Sequence, residues 1–139
     1  MTKCLYGDYG FKGTKTTRVF LKSLEYFKSR NIMISGNNPD MENQIASHFP
    51  DVRTGSTPYD FIFIPALEIK TIYELLSEPG LLHNDTAVLL DQPYKDKETT
   101  EQWEAIKTDS RVTVSIDMFH CCAIFFRQEQ AREHFRIRI

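Results

Sequence analysis

Several things are scarce in this sequence, and each scarcity excludes a class of protein. Cysteine occurs three times, as Cys4, Cys121 and Cys122. An odd count with two neighbours adjacent builds no disulfide framework, and no second Cys pair or His pair completes a zinc spacing. Reduced thiols in a cytoplasmic protein are expected. Charge of one sign is also scarce: 17 Lys and Arg stand against 19 Asp and Glu, a formal net charge of −2. At that balance neither nucleic acid nor a membrane surface is an expected partner. No apolar run approaches the roughly 20 residues that span a bilayer. The opening "MTKCLYGDYG" lacks the apolar segment of a secretory leader. No repeat or low-complexity stretch occurs.

What is present is the composition of a globular chain: 139 residues, 41% hydrophobic and 12% aromatic, enough for one domain over 1–139 with a core of its own. Three of the six glycines crowd into 7–15, "GDYGFKGTK", so residues 1–15 read as a flexible or turn-rich lead-in. Helical spacing of Val19, Phe20, Leu24 and Phe27 predicts a helix over 16–30, with Thr16 or Thr17 as its N-cap. "NIMIS" (31–35) predicts a buried strand. "PDMENQIASHF" (39–49) predicts a helix, with Pro39 in its first turn and Met41, Ile45 and Phe49 on one face. "YDFIFI" (59–64) and "TAVLLD" (86–91) are apolar enough to be strands covered on both faces. Between and after them, 66–80 and 97–108 predict helices, the first turning Leu67, Ile72, Leu75 and Leu76 inward, the second anchored by Trp103 and Ile106. "RVTVSID" (111–117) and "CCAIFFR" (121–127) read as a hairpin around "MFH", and "HFRIRI" (134–139) as a terminal strand. Alternation of strand and helix implies an α/β Rossmann-like three-layer sandwich, mostly parallel, with an antiparallel hairpin at the C-terminal side.

From Tyr59 onward the wording becomes specific. "LLDQPYKDKETTEQWEAIKTDSRVTVSIDMFHCCAIFFRQEQAREHFRIRI" resembles class I S-adenosylmethionine-dependent methyltransferases, in particular a bacterial group related to small-molecule O-methyltransferases. The resemblance implies the methyltransferase fold, and it implies functional positions that this chain fills only in part. The family's first strand ends in a pattern like "E-I-G-x-x-x-G". Here the acid falls at Ile34, the first glycine is kept as Gly36, and the second falls at Asp40. Gly36, Asn37 and Asn38 are thus the vestige of a cofactor turn. A second strand should follow, with an acid for the ribose hydroxyls. "PDVRTGSTP" (50–58) is too short for that unit, and Asp51, its only acid, reads as a loop residue. The sheet is therefore expected to be truncated on its first-strand side.

The family's metal carboxylates are expected after "YDFIFI", where Pro65 stands, and after "TAVLLD", where Asp91 is followed by Gln92. Magnesium needs an octahedral oxygen shell, so no metal site is expected. Asp91 and Tyr94 remain candidates for a cleft at a strand end. Glu68 reads as a solvent-facing residue of a first helical turn. Cys121 and Cys122 alternate on a strand; a Cys-His120 nucleophile would lack an orienting third group, so buried thiols are expected. His48, His83, His120 and His134 show no ligand spacing, and Arg132, Arg136 and Arg138 suit one solvated strand face.

Taken with the resemblance, the leading expectation is a methyltransferase-like protein without S-adenosylmethionine binding or catalysis, serving as a binding or interaction module with no cofactor. The alternative is an active S-adenosylmethionine-dependent O-methyltransferase of a small molecule with a rebuilt pocket around Gly36, Asn37 and Asn38, and Asp91 or Tyr94 near the acceptor. A small-ligand carrier is a third. Truncation should also expose a sheet edge, so self-association through that edge is expected, with the N-terminal lead-in as the other possible cover.

Overall fold

The run Tyr59–Ile64 shows how the sequence builds the fold. Phe61 and Phe63 join one buried cluster while Ile62 and Ile64 join another, so successive side chains feed opposite faces of a sheet covered on both sides. The computed structural model describes residues 10–36, 38–65, 69–129, 131–137 and 139. Within them the elements run α1 (Lys15–Phe27), β1 (Asn31–Ile34), α2 (Pro39–His48), β2 (Arg53–Thr54), β3 (Tyr59–Ile64), α3 (Ile69–Ser77), β4 (Leu82–Asp91), α4 (Lys97–Thr108), β5 (Val114–Asp117), β6 (Cys121–Phe125) and β7 (Glu133–Arg136).

One seven-stranded sheet has the order β2-β1-β3-β4-β6-β5-β7. Pairs β1–β2, β1–β3, β3–β4 and β5–β7 are parallel, and β6 is antiparallel to both β4 and β5. Val19, Phe20, Leu21, Leu24, Met41 and Ile45 of α1 and α2 cover one face, over Phe61, Phe63, Ala87, Leu89 and Cys121. Ile72, Leu75, Trp103 and Ile106 of α3 and α4 cover the other, over Ile62, Ile64, Val88, Leu90 and Cys122. The expected three-layer α/β sandwich is present. Each fully buried Leu, Ile or Phe contributes about 1.5–3 kcal/mol of transfer free energy, so both clusters are needed to hold the sheet.

Five local expectations are corrected. The N-cap of α1 is Thr14, whose hydroxyl accepts from Thr17 N; Thr16 and Thr17 are already inside the helix and buried. Phe27, expected inward, is 42% exposed at the last position of α1, because Lys28 adopts φ 54° and ends the helix before that face can continue. β4 starts at Leu82 instead of residue 86, drawn out by pairing of Leu82 with Tyr59. The strand expected over 111–117 starts at Val114. Seven strands form where about six were expected: "DVRTGSTP" supplies the two-residue β2, and the last strand begins at Glu133, in parallel with β5. The expected position of Leu67 and Glu68 lies outside the described residues.

The described part of the lead-in is turn-rich but docked. Gly10 and Gly13 have positive φ. Lys12 N donates to Gln44 Oε1 at 3.2 Å, and Gln44 Nε2 donates to Lys12 O at 2.9 Å. Phe11 packs against His48 and Phe49, with ring centroids 5.3 and 5.7 Å away.

Candidate functional site

β1, β3 and β4 run parallel, and β5 joins them because β6 reverses between β4 and β5. Their carboxyl ends therefore share one end of the sheet, where open α/β sheets bind ligands. Two adjoining clefts open there. One, of about 500 Å³, is lined by residues that include Thr16, Asp91, Gln92, Tyr94, Lys95 and His120. The second, of about 830 Å³, includes Asp117, Met118, Arg136, Ile137 and Ile139. Lys15, Tyr94, Phe119 and His120 border both.

Each polar group in these clefts has a reason for its position. Thr16, in the first turn of α1, donates to Asp91 Oδ1 at 2.6 Å and also lies 3.3 Å from His120 O. Gln92 N donates to the same His120 carbonyl at 3.0 Å. The end of β4, the start of α1 and the β5–β6 hairpin are thereby tied together. Tyr94 donates its phenolic proton to Asp117 Oδ2. Asp117 Oδ1 accepts from Phe119 N at 2.9 Å, and this carboxylate is nearly buried. Burial, reinforced by the hydrogen bond to Asp117 and by its charge, pushes the Tyr94 phenol up to about 12, so it stays protonated and remains a donor at neutral pH. Lys15 Nζ donates to Ile139 O at 3.3 Å and lies 3.5 Å from His120 Nε2.

Phe119 is the exposed member. It is 66% accessible and holds φ +68° at the hairpin tip. Its ring stacks on Tyr94 with centroids 5.5 Å apart and planes 23° from parallel. Cys121, behind the hairpin, is buried, which pushes its thiol up to about 12. Burial likewise raises Cys122, which faces the opposite cluster. Neither is placed to act as a thiolate nucleophile at neutral pH.

The structure thus brings Asp91 and Tyr94 into one cleft, though their partners are Thr16 and Asp117 and not each other. Asn38 is the N-cap of α2, with Oδ1 accepting from Met41 N at 3.2 Å. Gly36 lies in the turn after β1 at φ +83°, and a Cβ there would stand 3.2 Å from Pro65 Cγ. Asn37 lies outside the described residues. Lys15, Asp117, Phe119 and Arg136 were missed as site residues by sequence reasoning. Their signal exists only once the sheet order is known, because it is the reversal at β6 that turns the end of β5 toward the end of β4.

The cofactor implied by the family resemblance can be tested against these residues. Gly36 approaches Pro65, Asn38 Oδ1 is engaged by its own helix, and Ile34 stands where the acid is expected. On the ribose side, β2 offers only exposed Arg53 and Thr54. Of the turn's two asparagines only Asn38 is described, and its side chain is engaged by α2. Among the described residues no group of three or more His, Cys, Asp or Glu side chains converges as a metal shell, and no helix is long and apolar enough to cross a membrane.

No protein-family model matches the chain, and no curated protein does. Among solved structures it is similar to a Staphylococcus aureus protein provisionally described as a caffeoyl-CoA O-methyltransferase, with a TM-score of 0.53 and 15% identity over 84% of this chain and 85% of that one. At this identity the likeness establishes the fold, a Rossmann-like methyltransferase architecture, and not the activity.

Proposed function

We propose that the protein is a methyltransferase-like scaffold that no longer binds S-adenosylmethionine and acts as a small-molecule binding module through the clefts at the ends of β4 and β5. The observation that carries this reading is the approach of Pro65 to Gly36. A cofactor-binding glycine leaves room for a ligand beside its backbone; here Pro65 borders that space, its Cγ 3.2 Å from where a Cβ on Gly36 would stand. Pro65 also occupies the position where the related O-methyltransferases are expected to carry a metal carboxylate, so one residue bears on two parts of that machinery. The shortness of β2 supports the same reading, since no second crossover unit is present to carry a ribose-binding acid. By contrast, the clefts beside Tyr94 and Asp117 are open and lined by polar groups with defined partners.

Calorimetric titration with S-adenosylmethionine and S-adenosylhomocysteine tests this. The expected outcome is no heat at millimolar ligand and no rise in melting temperature. Micromolar binding, roughly −8 kcal/mol, would sink the reading and restore the methyltransferase alternative.

A further inference from the structure

The four Lys and Arg ion pairs among the described residues engage Lys28, Lys107, Arg111 and Arg127. None involves Lys15, Lys95 or Arg136, the Lys and Arg side chains that line the clefts among the described residues. The two carboxylates that line them are turned to other partners: Asp91 accepts from the Thr16 hydroxyl, and Asp117 from the Tyr94 hydroxyl and the Phe119 amide. Among the described residues Lys95 and Arg136 thus have no side-chain carboxylate in an ion pair, and Lys15, whose Nζ donates to Ile139 O at 3.3 Å, borders the same space as His120. Lys and Arg converging on a cavity recognise phosphate or carboxylate oxygens by charge-assisted hydrogen bonds.

Phe119 adds a second, independent feature. A large apolar ring is exposed on a non-glycine residue at positive φ, a conformation that costs free energy and persists where the surroundings impose it. Here the imposing contacts are the Asp117 cap on its amide and the bond from Met118 N to Cys121 O at 2.9 Å. Their effect is to hold the ring at the boundary of both clefts, stacked on Tyr94. An aromatic face fixed beside cations suits a flat ligand with an acidic group at one end.

We infer that the cleft binds a planar aromatic molecule carrying a phosphate group, with Phe119 and Tyr94 against the ring and Lys15 and Arg136 on the phosphate oxygens. This rests on the reading of the cleft as the surviving binding site, and it involves no covalent step.

Phenyl phosphate is the probe, titrated into the full chain and followed by NMR shifts of cleft residues, with phenol and inorganic phosphate as controls. Saturable shifts at the β5–β6 hairpin are expected with phenyl phosphate, and each control should bind at least about tenfold more weakly. Phe119→Ala and Arg136→Gln, both at exposed positions, should each weaken phenyl phosphate by about tenfold while leaving the melting temperature unchanged. Phenol binding as well as phenyl phosphate, no saturable shift at millimolar probe, or variants that bind like the unaltered protein would overturn the inference. The cofactor titration separates the two readings. S-adenosylmethionine binding beside intact phenyl phosphate binding would sink only the loss of cofactor; absence of both would sink only this inference.

Discussion

Gly36 is the residue on which the functional argument turns, and its role is open to a stability measurement. An L side chain at φ +83° is strained, and a new methyl would stand 3.2 Å from Pro65 Cγ. Gly36→Ala should therefore destabilise the protein by about 1–2 kcal/mol from the backbone alone, with a further cost if the proline cannot yield. Urea unfolding of Gly36→Ala and of Gly36→Ala with Pro65→Ala separates the two: the double variant should recover the contact cost and keep the dihedral cost. Unchanged stability in Gly36→Ala would mean that the turn is free to reshape and could still open for a ligand. Both residues were legible in the sequence separately, Gly36 as a turn and Pro65 as a missing carboxylate. That they touch was not, because the contact joins the ends of two neighbouring strands.

At the scale of elements, Asp60 fastens three strands at the opposite end of the sheet. From β3 its Oδ2 accepts from Arg30 N and Asn31 N at the start of β1, each at 2.9 Å. Its Oδ1 lies 2.7 Å from His83 Nε2 on β4. His83 Nδ1 accepts from Asp85 N at 3.0 Å, so Nε2 carries the proton and donates to the carboxylate. Burial pushes the Asp60 carboxyl up, but the two backbone amides and His83 together outweigh it and leave it below its ordinary value. A depressed carboxyl stabilises the fold above its unfolded pKa, and that contribution is lost as pH falls through the folded value. Asp60→Ala should cost about 1–2 kcal/mol near neutral pH. In chemical denaturation the gap to the unaltered protein should narrow below about pH 4; a constant gap would show that packing, and not the charge, is what the substitution removes. The same cluster explains why "LHND" was not legible as strand: its residues are mostly polar, and β4 extends over them because Thr86 bonds His83 N and Tyr59 O. The apolar strands and the helices with a clear inward face were legible because their periodicity records burial directly. The hairpin half of the cleft was not, because it depends on strand order, which periodicity does not encode.

For the whole molecule, the question raised by truncation is what becomes of the open edge. An unpaired strand is a template for association in proportion to its length and apolar character. On the first-strand side that edge is β2, two residues long, with Arg53 and Thr54 both exposed. The neighbouring apolar surface does not lie bare: Phe11, Phe49 and Val52 pack together against the α1–α2 cluster, and the Lys12–Gln44 pair of hydrogen bonds pins the lead-in across α2. The other edge, β7, carries Glu133, His134 and Arg136 beside the half-exposed Phe135, and charged side chains on an edge oppose further pairing. Both edges thus have features that discourage growth of the sheet. Light scattering across micromolar concentrations should accordingly give the mass of one chain, unchanged on dilution. A mass of two chains, reduced to one by Phe11→Ala, would assign the lead-in to an interface between copies and return self-association to the account. A dimer insensitive to Phe11→Ala would place the interface at β7, where a Phe135→Lys variant should dissolve it.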